Sequence, residues 1–439
     1  MSRTYQNAAT TESEIIDRRQ QKELADYLVS NGQMLIPMVE LIEQSRISID
    51  RFIDLFSKAA IEAVLQLSAD KISGPRHQGR ATGDVVRYGY QQGSVPLSDR
   101  RLKVVKPRLR RGRSKAMQEI LIPAYETLNS APGMGEKVSE LMMRGISTRK
   151  YKQVIREMVE TVGVSKSSVS RSFVEQTSRM LEQLAGRRFD DLDLLIIYLD
   201  GLVFGEHHII GAIGVDCSGE KHVLGLQQGA SENAAAVTCL LERLVELGVD
   251  SQKAYLFVID GSKALRSAIN RVFGSHNPVQ RCRSHKIRNV CDNLPDHLKD
   301  QYKAIMRAAY KLPHKEGIAR LTKHAAWLDQ ECPTAAASLR EGLEETFTIN
   351  RLELPVLLCR CLATTNIIES PNSDVRLNTR RVCRWRDGKM VLRWATAAFL
   401  TTEHNFRRIM GYKFLWILKA RLNEIARLKS ELDQQMNIA

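Results

Sequence analysis

Two apolar runs in this sequence end in the same dipeptide, and this pair constrains the fold more than any other feature. The run LDLLIIYLDG, residues 192–201, ends with Asp200-Gly, and the run LFVIDG, residues 256–261, ends with Asp260-Gly. Short uncharged apolar runs bounded by turn residues predict buried strands. One Asp-Gly after a strand indicates an ordinary turn. Its repetition indicates two carboxylates at one edge of a sheet.

The elements around these runs predict the order of that sheet. The sequence predicts strands over 194–200, 208–215, 221–227, 255–260 and 279–282, and helices over 232–247 and 262–273. Three strands, a helix, a strand, a helix and a strand is the order of an RNase H-like core, in which the first strand lies beside the fourth. We therefore expect Asp200 and Asp260 to be neighbours.

The composition is that of a globular protein with a polyanionic partner. At 439 residues the chain exceeds the usual size of one core, so several domains are expected. Its net charge of +15 favours binding to nucleic acid. No apolar run has the roughly 18 residues of a membrane helix, no signal peptide is recognisable, and eight scattered cysteines without a C-x-x-C pair predict reduced thiols. We expect a cytoplasmic, nucleoid-associated protein that does not enter a membrane.

A basic segment over residues 73–115 follows an N-terminal arm and helical region over 1–72. Nine Lys and Arg and no acidic residue lie between Arg100 and Lys115. The alternation in LKVVKPRLR predicts an extended β segment, which suits contact with a phosphate backbone, although a solvated charge run has the same pattern. The candidate DNA contacts are Arg108, Arg110 and Arg111.

Residues 116–185 predict a helical DNA-binding domain. A helical face that runs from Tyr151 to Val162 is followed by a Gly-containing turn, and Ser165 can cap a second helix. This is the layout of a helix-turn-helix, whose second helix presents its first residues to DNA, and a plain helical hairpin is the alternative. The candidate DNA contacts are Lys166, Ser168 and Arg171.

A third carboxylate, Glu369, is predicted to complete a cation site with Asp200 and Asp260. The first part of the core spans 186–282, an all-helical insertion spans 283–360, and the second part of the core with the C-terminal helices spans 361–439. In the second part, Thr364 or Thr365 can cap a helix that carries Glu369, although an exposed helix glutamate is equally ordinary.

Three carboxylates form a hard oxygen site that suits two Mg²⁺ ions, with Mn²⁺ as a substitute. Asp200 would bridge both ions, Asp260 would hold one, and Glu369 would hold the other. Basic residues then follow Glu369, interleaved with Trp385 and Trp394, which suits a nucleic-acid backbone passing over the ions. Each Trp alone is equally typical of a core. The candidate DNA contacts are Arg376, Arg380, Arg381 and Arg384.

Cys282 and His285 form a C-x-x-H pair with a spacing that metal sites use. Cys291 and His297 lie downstream at irregular spacing, and zinc requires four ligands. This spacing disfavours zinc and favours a packing or hydrogen-bonding role near the carboxylates.

Taken together, these motifs resemble those of the mutator-type DDE transposases of bacterial insertion sequences, which are related to the plant Mutator elements. The resemblance covers nearly the whole chain and rests on YLDG, LGLQQGASENA, FVIDGSKALRSAI, the C-x-x-H pair and TTNIIESPNSDVR. It implies that the three metal-binding acids are Asp200, Asp260 and Glu369, that Arg376 is the family's basic residue after the glutamate, and that the pair is Cys282 and His285. Pro371, soon after Glu369, departs from the pattern and is expected to shorten or bend its helix.

The resemblance implies a multidomain α/β fold: an RNase H-like mixed-sheet core with a helical insertion, preceded by helical and small β DNA-binding regions. It further implies Mg²⁺-dependent cleavage and joining of double-stranded DNA at terminal inverted repeats and at a target, by a homodimer or a larger assembly. Two alternatives stay open. One is a non-catalytic DNA-binding protein with the same fold, and the other is an RNase H-like nuclease without strand transfer.

Overall fold

A computed structural model describes most of the chain, which divides into two compact units. One unit comprises Met1–Met134 and Gln153–Val164, and the other comprises Gly135–Lys152 and Ser165–Ala439. None of the helices described is long and apolar enough to cross a membrane. The residues described are 49–74, 84–97, 101–111, 118–130, 134–151, 161–162, 165–229 and 234–438.

The first unit consists of an antiparallel sheet and the helices beside it. Its elements are α1 (Ile49–Ser73), β1 (Val85–Pro96), β2 (Arg101–Arg111), β3 (Gln118–Ile120), α2 (Pro123–Ser130) and β4 (Thr161–Val162). The extended segment predicted from the basic residues is confirmed as β2, which pairs along its whole length with β1. Leu102, Val104 and Leu109 of β2 are buried with Leu65 and Ala69 of α1, and they form the core of this unit.

Two short strands replace part of the predicted helical domain. Gln118–Ile120 and Thr161–Val162 both pair with β2, because that strand offers free backbone groups along its outer edge. The prediction that Val162 lies on a helical face is therefore wrong. The predicted helix between Tyr151 and Val162 falls mostly on residues 152–160, which lie outside the described residues.

The second unit begins with helices α3 (Met134–Met143, whose first residue belongs to the first unit) and α4 (Lys166–Ala185). As predicted, Ser165 caps α4: its side-chain oxygen accepts a hydrogen bond of 3.1 Å from the backbone NH of Ser168. A five-stranded sheet then follows in the order β7-β6-β5-β8-β9. Its elements are β5 (Leu194–Phe204), β6 (His207–Asp216), β7 (Lys221–Gly229), α5 (Ala234–Glu246), β8 (Leu256–Ile259), α6 (Lys263–Phe273) and β9 (Val279–Arg281).

The pairing in this sheet confirms that the first predicted strand lies beside the fourth. β5 pairs antiparallel with β6 on one side and parallel with β8 on the other. Helices α5 and α6 cover one face, where side chains from both helices and from the sheet form a large apolar core. After a long helical stretch, α13 (Asn366–Thr379) and α14 (Gly388–Glu403) pack against strands of the sheet, and α15 (Leu415–Ile438) ends the described chain.

Between β9 and α13 the described chain contains helices and turns only, and we call residues 283–362 the helical segment. It has its own core, which includes Tyr302, Met306, Leu321 and Phe347. Its elements are α7 (Arg283–Asp292), α8 (Asp296–Ala309), α9 (His314–Glu331), α10 (Pro333–Arg340), a 3₁₀ turn (Glu344–Phe347), α11 (Thr348–Arg351) and α12 (Val356–Leu362).

Candidate active site

Asp200 lies in β5, and Asp260 directly follows the adjacent strand β8. Tyr198 of β5 is paired with Val258 of β8 in parallel register, so the same register two residues further on places Asp200 opposite Asp260. Successive side chains on a strand point to opposite faces. Ile259 points into the core beneath α5 and α6. Asp260, and Asp200 level with it, therefore belong to the other face of the sheet.

Asp200 is not a turn residue, and the prediction that its strand ends there is wrong. β5 continues to Phe204, with Asp200 paired to Gly211 of β6, and the hairpin turn follows at Gly205, whose φ is +60°. β8 ends at Ile259. Beyond that point β5 is paired with β6 only.

Helix α13 reaches the Asp200 carboxylate through Asn372. The Asn372 side-chain amide donates a hydrogen bond of 2.6 Å from Nδ2 to Oδ2 of Asp200. Asn372 is only 2% exposed, and its Oδ1 atom is buried without a hydrogen-bond partner among the described residues. Sequence reasoning missed this residue. Its position three residues after Glu369, on the same side of a helix, is the signal that points to it.

Glu369 is held at the start of the same helix. The Thr365 hydroxyl donates to Oε1 of Glu369, and Nδ1 of His285 lies 3.6 Å from that oxygen. Thr365 occupies the predicted cap position, but its side chain bonds this carboxylate instead of a helix NH group. Pro371 does not shorten the helix, which continues to Thr379.

Cys282 and His285 belong to the same cluster as Glu369. Among the residues described, these three side chains have ligand atoms that all lie within 4.8 Å of one another. The Cys282 sulfur also accepts a hydrogen bond of 3.4 Å from the backbone NH of Thr365, and the hydroxyl oxygen of Thr365 lies 3.3 Å from it. Cys291 lies at the other end of α7, where its sulfur faces the Lys299 carbonyl. It is not part of the three-residue cluster.

The electrostatics of the cluster follow from these contacts. Its hydrogen bond to Cys282 raises the pKa of His285, and the charges of Glu369 and Asp260 contribute in the same direction. Burial raises the pKa of the Cys282 thiol, but hydrogen bonds from His285 and Thr365 outweigh this effect and leave the pKa below its ordinary value. The pair therefore gives the Glu369 side of the site a hydrogen-bond donor with cationic character.

The part of the site around Asp200 is negatively charged instead. Burial, together with the negative charges of Asp260 and Glu369, raises the pKa of Asp200 from 3.8 to about 6. Like charges brought together in a partly buried place need a cation. The donor set, carboxylate oxygens with an amide beside them, fits Mg²⁺ or Mn²⁺.

The predicted DNA contacts of the first unit have different environments. Arg108 forms an ion pair with Glu119, with 2.9 Å between Nη2 and Oε2. The guanidinium of Arg110 stacks 4.0 Å over the ring of Tyr88, and Arg111 is exposed. In the second unit, Lys166 and Arg171 are exposed near the start of α4, whereas the hydroxyl of Ser168 donates to the Ser165 carbonyl.

The basic residues after Glu369 lie at the surface. Arg376, Arg380, Arg381 and Arg384 are all exposed on α13 or shortly after it. Of the two tryptophans among them, Trp394 is buried with its ring 4.5 Å from that of Phe173. Trp385 is half-buried and packs edge-on against Phe204. The structure thus makes Trp394 a core residue.

The fold and the site define a multidomain α/β protein with two neighbouring aspartates on one face of a mixed sheet and a glutamate on a helix that packs against it. A family model described as "Transposase, Mutator family" matches residues 33–408, and the chain belongs to this family.

Several named transposases are similar to this chain. This chain is 27% identical over 309 residues to the transposase for insertion sequence element IS256 in transposon Tn4001 of Staphylococcus aureus. The matched region covers 66% of this chain and 74% of the relative. It is 25% identical over 366 residues to that of ISRM5 of Rhizobium meliloti, with 81% and 88% covered. It is 24% identical over 382 residues to that of IS1081 of Mycobacterium tuberculosis, with 82% and 88% covered.

Proposed function

We propose that this protein is a DDE transposase that cleaves and joins DNA at the terminal inverted repeats of an insertion sequence, with Asp200, Asp260 and Glu369 as the metal-binding acids. The observation that carries the proposal is the register of β5 and β8, which brings Asp200 level with Asp260. The sheet order supports an RNase H-like core, and the position of residues 283–362 supports a helical insertion within it.

The residues of the site would have two roles, metal binding and the orientation of the metal-binding acids. Asp200 and Asp260 would hold one Mg²⁺ ion, and Asp200 and Glu369 a second; when bound, the ions stabilise the attacking and leaving oxygens at phosphorus. Asn372 keeps the Asp200 carboxylate in one orientation. Thr365 and His285 do the same for Glu369. Side chains fixed in this way need little reorganisation during the reaction.

The partner is double-stranded DNA, in the form of two element ends and a target. Exposed arginines after Glu369 would contact its phosphates, and the first unit and the start of α4 would supply the DNA-binding surfaces. Holding two ends together requires at least a homodimer. A DNA partner of this kind places the protein in the bacterial cytoplasm with the nucleoid. We propose no structural zinc here, because such a site needs four ligands and the cluster of Cys282, His285 and Glu369 supplies three.

A cleavage and joining assay tests the proposal. Purified protein, Mg²⁺ and a labelled duplex carrying the inverted repeat are expected to give nicked and joined products. Asp200→Ala, Asp260→Ala and Glu369→Ala should each abolish both products and leave DNA binding intact. Products that survive all three substitutions would refute the assignment of the acids. Cleavage without joining would favour a nuclease, and binding of the duplex with no product would favour a non-catalytic DNA-binding protein.

A further inference from the structure

A large cavity lies in the helical segment, on the side of α7 away from Glu369. Its volume is about 1030 Å³, at the upper end of the range for ligand sites, which is about 300–1,000 Å³. The apolar part of its wall includes Ile287, Leu312, Leu354 and Val356. Val356, the first residue of α12, is 82% exposed at the rim of the cavity.

The charged part of the wall is strongly cationic. Arg283, Arg307, Lys311 and Arg360 line the cavity, and none of them forms an ion pair with any residue that the structure describes. One carboxylate, that of Glu353, lines it as well. That carboxylate is already engaged, because its Oε2 atom lies 2.5 Å from Nη2 of Arg421. The cavity therefore carries a surplus of positive charge.

Arg283 is the most informative of these cations. It is only 9% exposed, and burial lowers its pKa to about 10. Its guanidinium stacks 4.5 Å from the centre of the Tyr310 ring and donates to the Thr346 carbonyl and to Asn350, both neutral groups. A buried cation without a counter-charge destabilises a fold, so its presence in a cavity indicates an anionic ligand.

The cavity adjoins the candidate active site. Cys282 and His285 contact the Glu369 side of the site, while Arg283 and Ser284, between them in sequence, line the cavity. The backbone NH of Arg283 donates a hydrogen bond of 2.9 Å to the carbonyl of Ala363, which also lines the cavity. The first turn of α7 is thus shared, with one side serving the acids and the other the cavity.

We propose that this cavity binds one unpaired nucleotide of the DNA strand that the active site processes. The cations would hold its phosphate and the apolar wall would hold its base, a combination that suits a nucleotide better than a bare anion. The inference rests on the proposed function, because that function brings DNA to the adjoining acids. The inference goes beyond that function, because cleavage and joining at the three acids do not themselves need a binding site for an extruded nucleotide.

A binding experiment in EDTA tests this inference without any cleavage. The probes are one duplex in two forms, blunt or with a short unpaired extension that contains 2-aminopurine. We expect wild-type protein to prefer the extended form about tenfold, the effect of about one well-held base, with a change in 2-aminopurine emission. The triple variant Arg307→Ala, Lys311→Ala, Arg360→Ala should lose both the preference and the emission change.

The matched control removes the same charge from the same segment. Lys315→Ala, Arg320→Ala, Arg351→Ala alters exposed cations that do not line the cavity. It should weaken both duplexes equally and keep the tenfold ratio. Val356→Asp provides a second, single test, since it places a carboxylate at the rim, and Val356→Ser is its neutral counterpart. The aspartate variant should lose the preference and the serine variant should keep it.

Two results would overturn the inference. These are a wild-type ratio near one, and equal loss of the ratio in the triple cavity variant and in its triple control. If neither duplex binds, the proposed function fails. If the blunt duplex binds without any preference for the extension, only the cavity assignment fails.

Discussion

Replacing Asp200 by asparagine should stabilise the metal-free protein while abolishing its chemistry. Burial, together with the charges of Asp260 and Glu369, raises the pKa of Asp200 from 3.8 to about 6. Each pH unit of that difference corresponds to about 1.36 kcal/mol, so the ionised carboxylate costs about 3 kcal/mol of folding free energy. Asparagine has nearly the same shape and no charge, and its side-chain oxygen can still accept the bond from Asn372. We therefore expect Asp200→Asn to raise the free energy of unfolding by about this amount at neutral pH.

The pH dependence of that gain follows from where Asp200 binds its proton. Between pH 3.8 and about 6 the folded state holds a proton that the unfolded state has lost, so wild-type stability falls as the pH rises through this window. Above about pH 6 the full cost is present, and below 3.8 it vanishes because Asp200 is protonated in both states. Urea unfolding in EDTA at pH 7.5 and at pH 4 should show the full gain at the first value and almost none at the second.

Two comparisons make this prediction refutable. Asp374→Asn removes an exposed carboxylate from α13 and should change stability by no more than about 0.5 kcal/mol. Mg²⁺ should stabilise wild-type protein against urea, because it binds the folded state, and should stabilise Asp200→Asn far less. The reasoning from burial and like charge would be refuted if Asp200→Asn were no more stable than wild type at pH 7.5. It would also be refuted if the gain in unfolding free energy were the same at pH 7.5 and at pH 4.

Three further predictions concern the groups around the acids. Asn372→Ala should lower the nicking rate and the Mg²⁺ affinity about 10–100-fold, as loss of a residue that orients a metal ligand does, and DNA affinity measured by anisotropy should not change. Thr365→Val keeps the shape of the side chain but removes the hydroxyl that bonds Glu369, so nicking should slow about tenfold at equal DNA affinity. Arg380→Ala should reduce the slope of log K against log salt by about 0.9, as expected for one phosphate contact. Arg386→Ala should change it less, because Asp387 already holds that guanidinium at 2.9 Å.

The sequence predicts the sheet well because its strands are mostly apolar and differ plainly from the amphipathic helices between them. Those boundaries determine the parallel neighbours, and the neighbours bring Asp200 to Asp260. The end of β5 was harder to predict. Asp-Gly is a strong turn signal, yet pairing with β6 carries the strand on to Phe204, because tertiary hydrogen bonds outweigh a local preference. The same effect makes Val162 part of a strand.

Contacts between residues far apart in sequence were beyond prediction. Asn372 lies three residues after Glu369, on the same side of α13, which indicates a place near the site, but the sequence does not indicate that its amide reaches β5. The cations of the cavity come from α7, α8 and α12, and the turn after α8, so their convergence depends on how those helices pack. Periodicity reports which residues share a face of one helix and carries no information about the helix opposite.

The way the helical segment joins the sheet explains why a segment of this size does not displace the three acids. The segment leaves the sheet after β9 and returns before α13, and its two ends are tied by the hydrogen bond from Arg283 to Ala363. A segment whose ends already meet can fold around its own core without moving the elements on either side. Cys282 and Thr365, which flank those ends, also contact each other directly. Any displacement of the helical segment by a ligand in the cavity would therefore act first on the residues that hold Glu369.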